Sequence, residues 1–375
     1  MPITIKKIED KKQLVDFLDF GLKLYGDNPF YVPPLYRDEL NTFNPKTNPV
    51  FEFCESVHFL AYREKEIVGR IVGIVNHKAN NKFNEKAARF GWIDFIDDEA
   101  VSTALIEAVS QWAREKGLNK LTGPLGYCDQ DPEGLLVEGF DQMATSVTIY
   151  NHAYYPSHLE KLGFEKDADW VEYKIDIPEG IPEKHKRIAE IVRKKYNLTV
   201  LKPTDRKKLV DQYGRRLFEL INKTYSDLYG YVELTDKQID HCINLFLPII
   251  RLDCLRLILD KDDNIVCFGI STPSVAKAMQ KAKGKLFPFG WYHLLKALKG
   301  QNDVVELLLV GVAPEYQGKG VNALLFTELI PQYIENGYKY AESNPELEGN
   351  DKVKGQWDYF TRTEHKRRRS YSKMI

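Results

Sequence analysis

The sequence has no apolar run approaching the roughly 18 residues that a membrane-spanning helix needs, and its first residues do not form a signal peptide. Its five cysteines are scattered without metal-ligand spacing, which favours reduced thiols and no metal site. Lysine plus arginine (53) and aspartate plus glutamate (54) nearly cancel, so no overall field favours nucleic acid or an anionic membrane. We therefore expect a cytoplasmic protein without a nucleic-acid or membrane partner.

The composition allows a substantial core. Hydrophobic residues make up 43% of the 375 positions and aromatic residues 12%, which excludes a disordered chain. At about 100 to 200 residues per domain, this length predicts two domains. Strand-like and helix-like segments alternate along the chain, which indicates an α/β class with mixed sheets.

The most informative stretch runs from residue 303 to residue 336. Residues 304–312 are apolar and largely β-branched, as in a buried strand, and Ala313-Pro314 ends the run. A turn with Gly318 and Gly320 leads into a predicted helix with one apolar face. Glycines let the backbone approach a ligand closely, and the first N–H groups of a helix have no partner within it. The stretch therefore predicts an anion site, although an ordinary strand–turn–helix connection would share the glycine turn.

This stretch resembles the Gln/Arg-x-x-Gly-x-Gly/Ala motif of the GCN5-related N-acetyltransferases (GNATs). The residues here are Gln317-x-x-Gly320-x-Asn322, and Asn322 departs from the small residue usual at the sixth position. The resemblance implies that the turn holds the pyrophosphate of acetyl-CoA and that the preceding strand pairs with the pantetheine arm. The implied cofactor residues are Leu309, Val310, Gly311, Val312, Gln317, Gly318, Lys319, Gly320, Val321 and Asn322.

The first half of the chain repeats the element order of the second. We predict helices over 11–24, 98–116 and 155–162, strands over 58–62, 67–75, 90–95 and 120–122, and a last hairpin from 163 to 177. In the second half we predict helices over 183–196, 206–223, 235–247 and 318–335, and strands over 255–259, 265–271, 304–312 and 338–341. This repeat predicts two tandem GNAT-like domains, 1–180 and 181–375. Each is expected to be a mixed, mostly antiparallel sheet flanked by helices.

The chain as a whole resembles an uncharacterised bacterial family of tandem GNAT-like proteins, but the specific motif occurs once. At the equivalent place the first half has residues 97–99, Asp-Asp-Glu, without a glycine turn. These acidic side chains suit a helix N-terminus and would repel a pyrophosphate. We expect the first domain to be a degenerate copy that binds no CoA and serves as a scaffold or as one wall of the acceptor cleft.

Glu306 is the candidate general base, because transfer to an amine requires the amine to lose its proton. It lies inside the central strand, eleven residues before Gln317 (317 − 306), and the resemblance implies the same spacing as the catalytic glutamate of the histone-acetyltransferase branch. The alternative is a structural glutamate that faces solvent or pairs with a basic residue. Many GNATs use a tyrosine to protonate the leaving thiolate. Trp357 stands near that position here, so Tyr359, two residues later, is the candidate acid, with packing as the alternative.

Acceptor residues are expected in two segments. The loop 123–140 is rich in glycine and acid, and Asp129 or Asp131 could receive an amine, although an ordinary surface loop would have the same composition. In residues 224–231, Tyr225 and Tyr229 are candidates for a pocket wall, with core packing as the alternative.

Two further segments have competing interpretations. Residues 274–300 predict two amphipathic helices that pack against the neighbouring half in preference to lying on a membrane surface. The basic C-terminus, 365–375, alternates like a final strand and is not expected to bind nucleic acid. Taken together, these features predict an acetyl-CoA-dependent N-acetyltransferase acting on a small-molecule or peptide amine. A non-catalytic CoA-binding or scaffold protein is the alternative.

Overall fold

The structure is a computed structural model that describes residues 2–300, 302–350 and 354–375. The chain forms two compact units. The first contains residues up to Trp170 together with Met279–Gly290 and Lys366–Ile375, and the second contains Val171–Ala278 and Trp291–His365. Within the described ranges, no helix combines the length and apolarity needed to cross a membrane.

The first unit begins with a strand and a helix whose start is fixed by a capping box, in which Asp10 and Gln13 bond each other's backbone N–H groups. Its helices are α1 (Lys11–Leu24), α2 (Tyr36–Thr42), α3 (His77–Phe83), α4 (Glu99–Glu115) and α5 (Tyr155–Lys161). Its strands are β1 (Ile3–Lys7), β2 (Cys54–Arg63), β3 (Glu66–Asn76), β4 (Ala87–Phe95), β5 (Lys120–Gly123), β6 (Leu135–Glu138) and the beginning of β7 (Glu165–Asp176).

The second unit starts within β7 and ends within the last strand. Its helices are α6 (Glu183–Lys195), α7 (Arg206–Leu209), α8 (Arg215–Tyr225), α9 (Asp236–Phe246), α10 (Ala276–Ala282, whose last residues belong to the first unit), α11 (Gly290–Lys299) and α12 (Val321–Glu335). Its strands are β8 (Thr199–Leu201), β9 (Leu255–Leu259), β10 (Ile265–Pro273), β11 (Val304–Val312), β12 (Tyr340–Ser343), β13 (Glu346–Leu347) and the beginning of β14 (Arg362–Met374).

Both units use the same strand order around a nine-residue central strand. In the first, β1, β2, β3 and β4 pair antiparallel in sequence and β4 pairs parallel with β5. In the second, β8, β9, β10 and β11 pair antiparallel and β11 pairs parallel with β12. An antiparallel segment completes each sheet, Tyr371–Met374 against β5 and Lys174–Asp176 against β12. The predicted mixed, mostly antiparallel sheets are thus confirmed.

Each central strand leads into a helix that packs on its own sheet. Leu325 and Leu329 of α12 lie against Gly269 of β10, and Val101 and Leu105 of α4 lie against Gly69 of β3. These contacts bury the apolar faces that the helical periodicity predicted. The packing places the N-terminus of each helix at the end of its central strand.

The hairpin predicted over 163–177 is wrong. Residues 165–176 form the single strand β7, because its later residues pair with β12 instead of folding back on its earlier ones. The helix predicted over 206–223 is also divided, since a π-helical turn at Val210–Gly214 separates α7 from α8.

Candidate active site

The turn between β11 and α12 has the backbone geometry of an anion site. After the 3₁₀ turn Pro314–Tyr316, Gly318 and Gly320 have φ angles of 71° and 80°, in the left-handed region that glycine adopts without strain. Gly320 is the N-cap of α12. The Gln317 side chain donates to the Val312 carbonyl oxygen at 3.2 Å, which ties the turn to the end of the strand.

Two lysines lie beside this turn. Lys319, within the turn, and Lys195, at the end of α6, each place Nζ 5.3 Å from the centroid of the Tyr196 ring. The preceding residues Arg193 and Lys194 add positive charge to the last turn of α6. Neither Lys195 nor Tyr196 was predicted from the sequence. Their signal was the basic end of a helix that lies far from the turn along the chain.

Helix α6 covers one side of the turn and leaves another open. A Cβ atom on Gly320 would lie 2.8 Å from Cγ2 of Ile188, so only glycine fits between the two helices. A Cβ atom on Gly318 would have no neighbour within 4 Å. Approach to the turn is therefore available on the side of Gly318.

Strands β11 and β12 separate beside the turn. They are in parallel register from Val304–Tyr340 to Leu307–Ser343, and the β10–β11 register then shifts at Leu308. The Asn344 side chain donates to the Leu308 carbonyl oxygen at 2.8 Å, where the parallel pairing ends. Within the part of the chain that the structure describes, the edge of β11 after Leu307 is not paired with β12.

Glu306 lies on the central strand just before this separation. Its side chain is buried, with only 3% of its surface exposed, and it accepts a 2.6 Å hydrogen bond from the Ser274 hydroxyl. The solvent-facing alternative for this glutamate is therefore wrong. Its in-register neighbour on β12 is Glu342, so the two buried carboxylates are on the same face of the sheet.

Glu342 and His365 extend this group of titratable side chains. His365 Nε2 lies 2.9 Å from Glu342 Oε1, and the two side chains are 11% and 9% exposed. Neither residue was singled out from the sequence. The available signal was a glutamate inside an otherwise apolar strand, whereas the approach of His365 depends on folding.

The candidate acid, Tyr359, follows the 3₁₀ turn Gly355–Trp357 and packs against α6. Its hydroxyl contacts Lys184 Nζ, its ring is 5.4 Å from that of His185, and half of its surface is exposed. Trp357 is instead buried against Phe326 of α12 and donates from Nε1 to Glu346 at 2.8 Å. Trp357 is thus a core residue. Part of the segment preceding it, 351–353, lies outside the described residues.

The two tyrosines predicted to line the acceptor pocket are partly exposed. Tyr225 ends α8, and its hydroxyl donates to the Val310 carbonyl oxygen at 3.0 Å, so it contacts the predicted pantetheine strand directly. Tyr225 also packs edge-on against the buried Tyr231, with ring centroids 5.8 Å apart. Tyr229 lies in the connection between α8 and α9.

The first unit differs from the second at the third residue of the central strand and at the start of the helix that follows it. Arg89 is the third residue of β4 and faces Thr122 on β5, just as Glu306 is the third residue of β11 and faces Glu342 on β12. At the start of α4, the Asp98 side chain accepts the backbone N–H of Ala100. A carboxylate of the chain itself therefore occupies the position where α12 has its glycine turn.

The acidic loop of the first unit lies around Arg89, whose guanidinium donates to the Gly126 carbonyl oxygen at 3.2 Å. Asp131 accepts backbone N–H groups from Tyr127 and Cys128, which uses its carboxylate within the loop. Asp129 is partly exposed. The surrounding loop nevertheless shields its carboxyl group from water and raises the pKa of Asp129 to about 6, against the opposing effect of Arg89.

Two curated proteins match most of the length of the chain. No protein-family model matches the chain. The chain is 27% identical over 382 residues to Protein YghO of Escherichia coli (strain K12), covering 99% of this chain and 95% of that protein. It is 29% identical over 319 residues to the Bacterial ceramide synthase of Caulobacter vibrioides (strain NA1000 / CB15N), covering 84% of this chain and 82% of that protein.

Among solved structures, a tandem GNAT protein from the clavulanic acid biosynthesis pathway, solved without AcCoA, matches with a TM-score of 0.55. The match covers 99% of this chain and 98% of that one. The chain has a tandem GNAT fold. At 12% sequence identity the similarity to this structure concerns the fold alone. The tandem GNAT arrangement predicted from the repeated element order is thereby confirmed.

Proposed function

We propose that the chain is an acyl-CoA-dependent N-acyltransferase whose active site lies in the second unit. The observation that carries this proposal is the combination, around one strand, of the glycine turn before α12, the separation of β11 from β12, and buried Glu306. The Arg89 and Asp98 positions of the first unit lack this combination. The activity of the protein therefore rests on one site per chain.

The second unit has suitable groups for CoA. The N–H groups from Gly318 to Asn322 lie at the start of α12, where anions are favoured, and Lys319 and Lys195 add positive charge. The carbonyl group of Val310 points toward Tyr225. Because the N–H and C=O groups of one residue in a strand point to the same side of that strand, the Val310 N–H points to this side too. We therefore assign the Val310 N–H to the pantetheine arm. The bound thioester supplies an activated acyl group.

Glu306 removes the proton of the acceptor amine in this proposal. An amine with a pKa near 10.4 is neutral in about 1 of 2,500 molecules at pH 7, equivalent to roughly 4.6 kcal/mol. The Ser274 hydroxyl holds the Glu306 carboxylate in one orientation, and His365 lies beside Glu342, the in-register neighbour of Glu306. Tyr359 remains the candidate donor to the leaving thiolate, and Lys184 holds its hydroxyl.

The name of the Caulobacter relative suggests which acyl groups and acceptors to test. Its name specifies ceramide synthesis, and a ceramide is the amide of a fatty acid with a long-chain amino alcohol. Formation of that amide is the N-acyl transfer proposed here. We therefore propose long-chain acyl groups and amino-alcohol acceptors as the first substrates to test, beside acetyl-CoA with small-molecule and peptide amines.

The proposal is tested by incubating the purified full chain with acetyl-CoA or long-chain acyl-CoA and a panel of amines that includes long-chain amino alcohols. Free CoA thiol and the amide product, identified by mass spectrometry, should appear together in equal amounts. Binding of CoA without turnover on any acyl and amine pair would support the alternative, a non-catalytic CoA-binding protein. Absence of CoA binding would reject both.

A further inference from the structure

Acidic residues are absent from a long stretch of the second half of the sequence. Between Asp263 and Asp303 there is no aspartate or glutamate, whereas six lysines occur: Lys277, Lys281, Lys283, Lys285, Lys296 and Lys299. This stretch includes the insertion between β10 and β11. An insertion of this charge is complementary to a negatively charged surface.

Residues Met279–Gly290 of the insertion belong to the first unit and are hydrogen-bonded to it. The Gln280 side chain donates to the carbonyl oxygens of Pro29 and Tyr31, at 2.9 and 2.8 Å, and the Tyr36 N–H donates to the Gly284 carbonyl oxygen at 2.8 Å. Beyond this anchor, two large apolar side chains are exposed. Phe287 is 78% and Phe289 70% exposed.

From Trp291 the insertion belongs to the second unit, and it forms the rest of helix α11. The Arg251 guanidinium donates to the Leu298 carbonyl oxygen at 3.1 Å and fixes the end of this helix. Its exposed residues recur at helical spacing and place aromatic and aliphatic groups at the start and lysines at the end: Trp291, Tyr292, Leu295, Lys296 and Lys299. Apolar and cationic groups therefore share one face.

We propose that the segment Phe287–Lys299 binds the surface of an anionic lipid bilayer. Tryptophan and tyrosine favour the boundary between headgroups and acyl chains, phenylalanine inserts below it, and lysines attract anionic headgroups. A second copy of the chain is a poorer partner, because a two-fold contact would bring the same lysine-rich, acid-free segment against itself. The segment lies on the membrane and does not span it.

The first residue of the insertion links this surface to the candidate active site. The backbone carbonyl oxygen of Ser274, the first residue of the insertion, accepts a hydrogen bond from the Asn302 side-chain amide, and the Ser274 hydroxyl donates to Glu306. The insertion thus leaves the second-unit sheet next to the candidate base. Lipid binding does not depend on the proposed acyl transfer, but it would bring that site to a lipid surface.

Flotation of the full chain with lipid vesicles tests the proposal. The wild-type protein should float with vesicles of phosphatidylcholine and phosphatidylglycerol and float weakly with phosphatidylcholine alone. Phe287→Ser with Phe289→Ser should lower the partition coefficient on anionic vesicles by about tenfold or more, because both apolar side chains leave the bilayer. Phe83→Ser is the matched control, since Phe83 is also exposed (41%) but lies on α3, and it should bind as wild type.

A charge-reversed pair tests the same surface without altering its aromatic residues. Lys296→Glu with Lys299→Glu should lower binding to anionic vesicles by about 30-fold or more, whereas Lys11→Glu with Lys12→Glu on α1 should have little effect. Wild-type protein that stays unbound, or test and control variants that bind equally, would overturn the proposal. Sedimentation velocity showing a dimer that Phe287→Ser with Phe289→Ser dissociates, without vesicle binding, would assign the segment to self-association instead.

Discussion

The hydroxyl group of Ser274 donates a 2.6 Å hydrogen bond to the carboxylate of Glu306. The bond joins the first residue after β10 to the interior of β11, and it orients a side chain that is almost entirely buried. A carboxylate that serves as a base needs such a fixed orientation toward its substrate. Ser274 is therefore a positioning residue in the proposed mechanism.

Ser274→Ala should lower kcat by about 10-fold to 100-fold, the equivalent of one hydrogen bond to a charged group, and leave the KM for acyl-CoA nearly unchanged. Ser274→Thr keeps the hydroxyl and should restore most of the activity. Steady-state kinetics at saturating acyl-CoA provide the measurement. If the alanine variant kept the wild-type kcat, Ser274 would have no part in positioning the base.

Lys319→Glu should weaken acyl-CoA binding by about tenfold or more, because it replaces a cation by an anion next to the glycine turn. The weakening should diminish as ionic strength rises. Titration calorimetry measures both effects, with Lys237→Glu on the exposed start of α9 as the control. Equal affinities for the two variants would show that the phosphates bind elsewhere.

The two units should differ in ligand binding, with one CoA per chain. The second unit has Gly320 at the N-cap of α12, whereas in the first unit the Asp98 carboxylate already bonds a backbone N–H of α4. Calorimetric stoichiometry close to one is expected. Two equivalent sites would contradict the asymmetry between Glu306 and Arg89 on the matching strands.

Glu346 should make the stability of the second unit depend on pH. Burial raises its pKa from 4.5 to about 7, against the hydrogen bond from Trp357, so the folded state holds a proton that the unfolded state releases. Stability contributed by the protonated form is complete below pH 4.5 and is lost as pH rises toward 7, by up to about 3 kcal/mol.

Glu346→Gln keeps an oxygen acceptor for Trp357 and cannot ionise. Its free energy of unfolding should therefore exceed that of the wild type above pH 7, and the difference should shrink toward pH 4.5. Urea unfolding at a series of pH values measures this, with Glu335→Gln at the end of α12 as the control. A difference independent of pH would exclude titration of Glu346 as the cause.

The sequence was sufficient for features that depend on neighbouring residues. Apolar periodicity and turn residues predicted α1, the β2–β3 hairpin and the β11–α12 unit, and the two glycines of the turn indeed have positive φ angles. The burial of Glu306 could not be predicted, since alternation along a strand does not reveal what covers each face.

Features that depend on distant parts of the chain were missed. The β7 hairpin was predicted from local turn residues, whereas β7 pairs with β12, more than 160 residues later in the sequence. In the same way, Lys195 joins Lys319 over Tyr196, and His365 meets Glu342, only after folding. Residues 274–300 were expected to pack against the neighbouring half of the chain. Gln280 and Gly284 do bond residues 29–36 of that half, whereas Phe287 and Phe289 are exposed.

Glu306→Gln is the most direct test of the central claim. Turnover of the acyl-CoA and amine pair found by screening should be measured from pH 6.5 to 10, with CoA affinity determined on the same preparations. We predict unchanged CoA affinity and a loss of about 10²-fold to 10⁴-fold in kcat near pH 7, which shrinks as pH rises and the amine becomes neutral unaided. Wild-type turnover by Glu306→Gln at neutral pH would contradict the account.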